Sequence, residues 1–199
     1  FVSRHQKILW KSSCKIAAVS LALILVMAVL VYTIPQVEEA TNRLMLTYLP
    51  YFVFIMYAIN RGTGFTRALF MNCDHSLLTY SFYKKPASIL KLFQIRLREI
   101  VKINLLPAAV IGVGLAGLLY LSGGTDKWSN YVVLFISIIC MSVFFSVHYL
   151  TIYYLLQPYN AGTQMKSATY QIILSATYLA CFFLMQVQLP TLLFGGLTI

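Results

Sequence analysis

Apolar residues fall into five runs of near-membrane length, at 15–34, 44–60, 103–122, 131–156 and 168–189, and a sixth run opens at 191. Polar stretches at 35–43, 61–102, 123–130 and 157–167 separate them, with a very short interruption at Pro190. About 20 apolar residues are needed for a helix to cross the hydrocarbon core. The runs are continuous, whereas a β-barrel strand alternates apolar and polar positions over short segments. The pattern therefore predicts an all-α polytopic membrane protein. A single transmembrane domain is expected over 1–199, with about six spans, the last continuing beyond Ile199. The chain opens on Phe1 rather than Met, so an upstream start is expected. The first run is too long, and its polar flank too extended, for a cleaved signal peptide.

Within the long 61–102 stretch the period changes. Phe70, Cys73, Leu77 and Tyr80 recur at helical spacing with Leu69 alongside, and Asn72, Asp74, His75 and Ser76 occupy much of the other face. Lys84 and Lys85 precede Pro86, which ends one helix and suits the first turn of the next. Ile89, Phe93, Leu97 and Ile100 then form an apolar stripe opposite Lys91, Arg98 and Lys102. A basic amphipathic helix of this kind is expected flat in the membrane interface, leading into the third span. Leu78 and Phe82 add a second apolar face to the first helix, which a mere connector does not need. A docking element for a partner is the sharper expectation, and a pair of plain connecting helices the simpler one.

Charge sets the orientation. Hydrophobic residues make up 60% of the chain and charged residues only 10%, yet the net charge is +10. Thirteen of the fifteen Lys and Arg residues lie in the N-terminal flank, in 61–102 and in 157–167, against Arg43 and Lys127 on the other side. The positive-inside rule then puts the N-terminus and the long stretch in the cytoplasm. Anionic lipid accounts for the basic excess without nucleic acid.

The segment "RALFMNCDHSLLTYSFYKKPASILKLFQIRLREI" resembles the stretch after the second span of type-2 ABC exporter permeases, through Leu69, Phe70, Asp74, Leu77, Leu78, Ile89 and Leu90. It departs after the leucine pair, where many of those permeases carry Leu-Pro and this chain has "TYSFYKKP". The resemblance implies a coupling helix that docks on a separate ATP-binding subunit. Phe70, Leu77, Leu78, Tyr80 and Phe82 would fill a groove on that subunit, and Asp74, His75, Lys84 and Lys85 would form the polar rim. It implies two copies of the ATP-binding subunit and a second membrane subunit, either the same chain or a paralogue. ATP and Mg would sit on the partner, with no cofactor in this chain. It further implies alternating access that moves an amphipathic peptide or lipid-like substrate out across the plasma membrane.

The sequence holds no GxxxxGK[ST] phosphate loop, so ATP hydrolysis is not expected here. "GVGLAG" at Gly112–Gly117 matches a dinucleotide fingerprint in letters only. It lies inside an apolar span and, with Ala108, Ala109 and Ala116, reads as a small-residue surface for close helix packing. Cys14, Cys73, Cys140 and Cys181 are dispersed and suit neither a disulfide framework nor a metal site. Cys73 and His75, two residues apart, would point to different sides of a helix. Gln171, Ser175 and Tyr178 share one face of the fifth span, and His148 lies in the fourth, where an ionisable group invites a functional role. These four are candidates for a substrate path, with helix-to-helix hydrogen bonding as the structural alternative. Tyr149, Tyr153 and Tyr154 after His148 are expected in an interfacial aromatic belt. A rival from another class is a membrane anchor or scaffold for a cytoplasmic protein.

Overall fold

A computed structural model describes residues 2–74, 85–158 and 167–199. They form eight α-helices, and no β-strand occurs among the described residues. The helices are α1 (Val2–Thr33), α2 (Pro35–Thr47), α3 (Tyr51–Ile59), α4 (Gly62–Leu69), α5 (Pro86–Leu121), α6 (Trp128–Leu156), α7 (Ala168–Leu184) and α8 (Thr191–Thr198). A π-helical turn, Phe70–Asp74, follows α4. Three helices are long and apolar enough to cross a membrane: α1 over Trp10–Thr33, α5 and α6. The protein is thus a helical, membrane-embedded chain.

The centre of the bundle is α5, which packs against both α1 and α6. Small residues on α5 permit this. A Cβ on Gly112 would lie 2.8 Å from the Phe135 ring of α6, and one on Gly114 would lie 2.3 Å from Ile24 of α1. Pro107 sits inside α5 and lacks the N–H that would bond the Ile103 carbonyl. The hydroxyl of Ser13 on α1 donates to that carbonyl instead. The proline is thereby tolerated, and α1 is pinned to α5 at that level.

Two expected boundaries differ from the structure. The interfacial helix and the third span are one uninterrupted 36-residue helix, α5. Most of its apolar stripe is turned into the protein, and only Ile89 is exposed. Phe93, Leu97 and Ile100 pack with Phe65, Leu69, Phe70, Leu150 and Tyr153 in a second core, separate from the main one. The 44–60 run is also not a single helix. It breaks between α2 and α3, where Leu49 and Pro50 are buried. The break is stabilised from a distance. The Leu189 amide donates to the Thr47 carbonyl at 3.0 Å, and the Thr191 hydroxyl donates to Met45 at 2.9 Å and Leu46 at 3.0 Å. These carbonyls at the end of α2 have no helical partner. A second break, between α7 and α8, supplies the donors.

A polar seam holds the corner between α3 and α4. The Asn60 side-chain oxygen accepts from the Gly62 amide at 2.8 Å, and that of Asn104 accepts from the Arg61 amide at 3.1 Å. Asn104 also donates to Ser146 at 2.9 Å. At this corner α4 meets α6 so closely that a Cβ on Gly62 would lie 2.3–2.4 Å from Tyr149. Gly62→Ala should therefore destabilise the chain by roughly 1–3 kcal/mol, the usual cost of overpacking. The opposite sign is expected at an ordinary helical glycine, where Ala is favoured by about 0.5–1 kcal/mol. Thermal unfolding in detergent separates the two.

Candidate functional site

The second core is capped by a charged cluster. The π-turn carries one more residue per turn than an α-helix, and such turns recur at functional positions. Here it ends with Asp74 facing inward toward α5 and α6. Arg96 of α5 meets the carboxylate with both terminal nitrogens. One donates to Asp74 Oδ2 at 2.8 Å and to the Tyr154 hydroxyl at 2.7 Å, and the other donates to Asp74 Oδ1. The Tyr153 hydroxyl donates to Asp74 Oδ2. The guanidinium carbon lies 5.6 Å from the Tyr154 ring centroid, and Phe93 meets that ring edge-on at 5.3 Å.

Asp74 and Arg96 are each 7% exposed. Removing both charges from water costs several kcal/mol per ion unless the geometry is good and the remaining polar atoms are satisfied. Here the pair is bidentate, the arrangement a guanidinium fork suits best, and two tyrosine hydroxyls complete it. The cluster ties Asp74 to two helices that enter the bundle. Lys85 at the other end of the segment is exposed and precedes the first turn of α5.

No protein-family model matches the chain, and no curated protein or solved structure is significantly similar.

The sequence-derived candidates separate into distinct environments. Phe70 is buried in the second core, and Asp74 is committed to Arg96 and Tyr153. Both side chains face the interior of the chain. His75, Leu77, Leu78, Tyr80, Phe82 and Lys84 lie outside the described residues. The expected tyrosine belt is also corrected. Tyr149 and Tyr153 are buried, because packing and the ion pair outweigh interfacial exposure.

The four substrate-path candidates do not share one surface. Gln171 and Ser175 border an open groove of about 510 Å³ on the outward face of α7, with Ala168, Ile172, Ala176 and Leu179. His148 and Tyr178 point the other way, toward α3, α6 and α7. His148 Nε2 lies 3.1 Å from the Thr177 hydroxyl, which itself donates to the Ile173 carbonyl. The hydroxyl has one hydrogen, so Nε2 must be the donor, and the imidazole links α6 to α7. Tyr178 stacks on Phe182 and meets Phe54 edge-on at 5.6 Å.

Sequence reasoning missed Arg96, which it counted only as one more basic residue. A signal was present: Arg96 lies one residue from Leu97, on the flank of the apolar stripe, where a solvated charge is out of place. Asn104, Ser142 and Ser146 were also missed. They are single polar residues in otherwise apolar spans, and such residues usually face other helices.

Proposed function

We propose that the chain is a membrane-spanning subunit of an ATP-driven exporter of the type-2 ABC class. It would work with a separate ATP-binding subunit and a second membrane subunit. In this reading the bundle has about six spans with its N-terminus in the cytoplasm, and 75–84 is the coupling segment. The observation that carries it is the buried Asp74–Arg96 pair with its two tyrosines. A surface connector gains nothing from a desolvated ion pair at its root. A segment that must pass force from a cytoplasmic partner into two helices needs a rigid root. ATP-driven closure of the partner subunits would pull on 75–84, and α5 and α6 would follow as packed units that shift between discrete arrangements. The paired breaks at 48–50 and 185–190 place irregular backbone within the bundle, which is tolerated where protein or a cavity covers it. An amphipathic peptide or lipid-like substrate suits the weakly polar interior.

Purification of the tagged chain from its own host in mild detergent tests the proposal, with mass spectrometry and an ATPase assay. A stoichiometric partner and ATP hydrolysis are expected. A chain that purifies alone, with no hydrolysis, overturns it.

A further inference from the structure

The groove beside α2 has the dimensions and polarity of a lipid seat. It measures about 580 Å³, within the range of small-molecule sites. Gln36, Glu39 and Arg43 line one end on a single face of α2, while Tyr48, Tyr51 and Met185 line the other. Glu39 and Arg43 are one turn apart, in the order that favours an ion pair on a helix. Neither belongs to an ion pair among the described residues, where Asp74–Arg96 and Glu99–Lys102 are the pairs found. The groove thus offers an unpaired anion and an unpaired cation in fixed order.

The depth of the groove follows from the fold. Tyr32, Tyr120 and Trp128, at the ends of α1 and α5 and the start of α6, are 89%, 75% and 76% exposed. Exposed aromatics of this kind mark a membrane–water interface. Asn42 ties α2 to this level, donating to the Ser122 carbonyl at 2.7 Å and the Gly124 carbonyl at 3.0 Å. From Gln36 to Tyr48 the stripe covers about 18 Å at 1.5 Å per residue. That exceeds the headgroup layer, roughly 5–7 Å thick on each side. Asn42 thus sets the charged end, with Glu39 and Arg43 beside it, at the level of these exposed aromatics.

We propose that this groove holds one phospholipid with a zwitterionic amine–phosphate head. Its ammonium faces Glu39, its phosphate faces Arg43, and an acyl chain lies along Tyr48, Tyr51 and Met185. A soluble zwitterion would leave the aromatic end unused, and an anionic lipid would leave Glu39 without a counter-charge. The assignment is independent of the exporter proposal and needs no ATPase.

The test is native mass spectrometry of the chain purified with phosphatidylethanolamine, with phosphatidylglycerol, or with free phosphoethanolamine. One retained phosphatidylethanolamine per chain is expected, with phosphatidylglycerol held more weakly. Glu39→Gln and Arg43→Gln should each weaken retention about 10-fold, the effect of losing one charge-assisted contact. Arg43→Lys should retain the lipid. Both side chains are exposed, so folding is not at stake, and an unchanged thermal midpoint confirms this for each variant. Equal retention of both lipids, retention indifferent to both neutral variants, or full displacement by free phosphoethanolamine would each overturn the proposal.

Discussion

Arg96→Ala is expected to destabilise the chain by roughly 3–5 kcal/mol, because it leaves the Asp74 carboxylate buried without a counter-charge. For a domain of this size that corresponds to a drop in thermal midpoint of roughly 10 °C. Asp74→Ala should cost a similar amount, since the guanidinium would then be stranded against Tyr154. Neither result alone distinguishes a structural pair from a force-bearing one. The quadruple variant Asp74→Leu, Arg96→Met, Tyr153→Phe, Tyr154→Phe does. Among the described residues it removes every polar side-chain atom of the cluster together. Replacing a buried ion pair with apolar groups of similar volume is often neutral or stabilising. The midpoint should therefore return to the wild-type value or above it. On the exporter proposal, substrate-stimulated ATP hydrolysis by the complex with the proposed partner should nevertheless fall, because apolar packing does not fix the angle of the π-turn as a bidentate pair does. Full stimulation by the quadruple variant would show that the cluster only holds the fold together.

The long apolar runs were legible because a membrane imposes a length. α6 can be read from hydropathy to within a few residues, and so can the end of α1 and the second half of α5, but α1 begins thirteen residues before its apolar run. What hydropathy cannot report is continuity. Residues 86–102 carry four Lys and Arg residues and look like a surface helix, but the backbone continues into the span, since nothing between Ile100 and Asn104 interrupts it. The break at 48–50 was hidden for the opposite reason. Tyr48, Leu49 and Tyr51 are as apolar as their neighbours, and Pro50 alone does not show whether a helix kinks or stops. The stop is set by Leu189 and Thr191, more than 135 positions away in sequence. Asp74 was picked out by its pattern, but its ion pair with Arg96 was not foreseen. Whether a carboxylate faces solvent or a guanidinium depends on the π-turn and on α6, and neither is written near residue 74.

On the exporter proposal, Leu77→Asp combined with Leu78→Asp should abolish association with the proposed ATP-binding partner while leaving the membrane bundle intact. Burying a leucine at an interface is worth about 1.5–3 kcal/mol, and each replacement adds the desolvation of a carboxylate. Two such changes remove at least about 3–6 kcal/mol, which is roughly 100-fold to over 10,000-fold in affinity. The bundle should be spared because, among the described residues, the second core is built from other positions. The second core is closed by Phe65, Leu69, Phe70 and Ile100, and Asp74 is already held by Arg96. The expected outcome is a chain that inserts, purifies and melts like the wild type but brings down no partner. The Arg96→Ala variant should instead lose stability first, so the pair of measurements separates the anchor of the segment from its contact surface. A normal complex yield from the double aspartate variant would remove 75–84 as the docking element. Partner contact would then have to be sought at the other end of the same corner, around Arg61 and Ser12, where the guanidinium joins α1 to α4 through the serine hydroxyl.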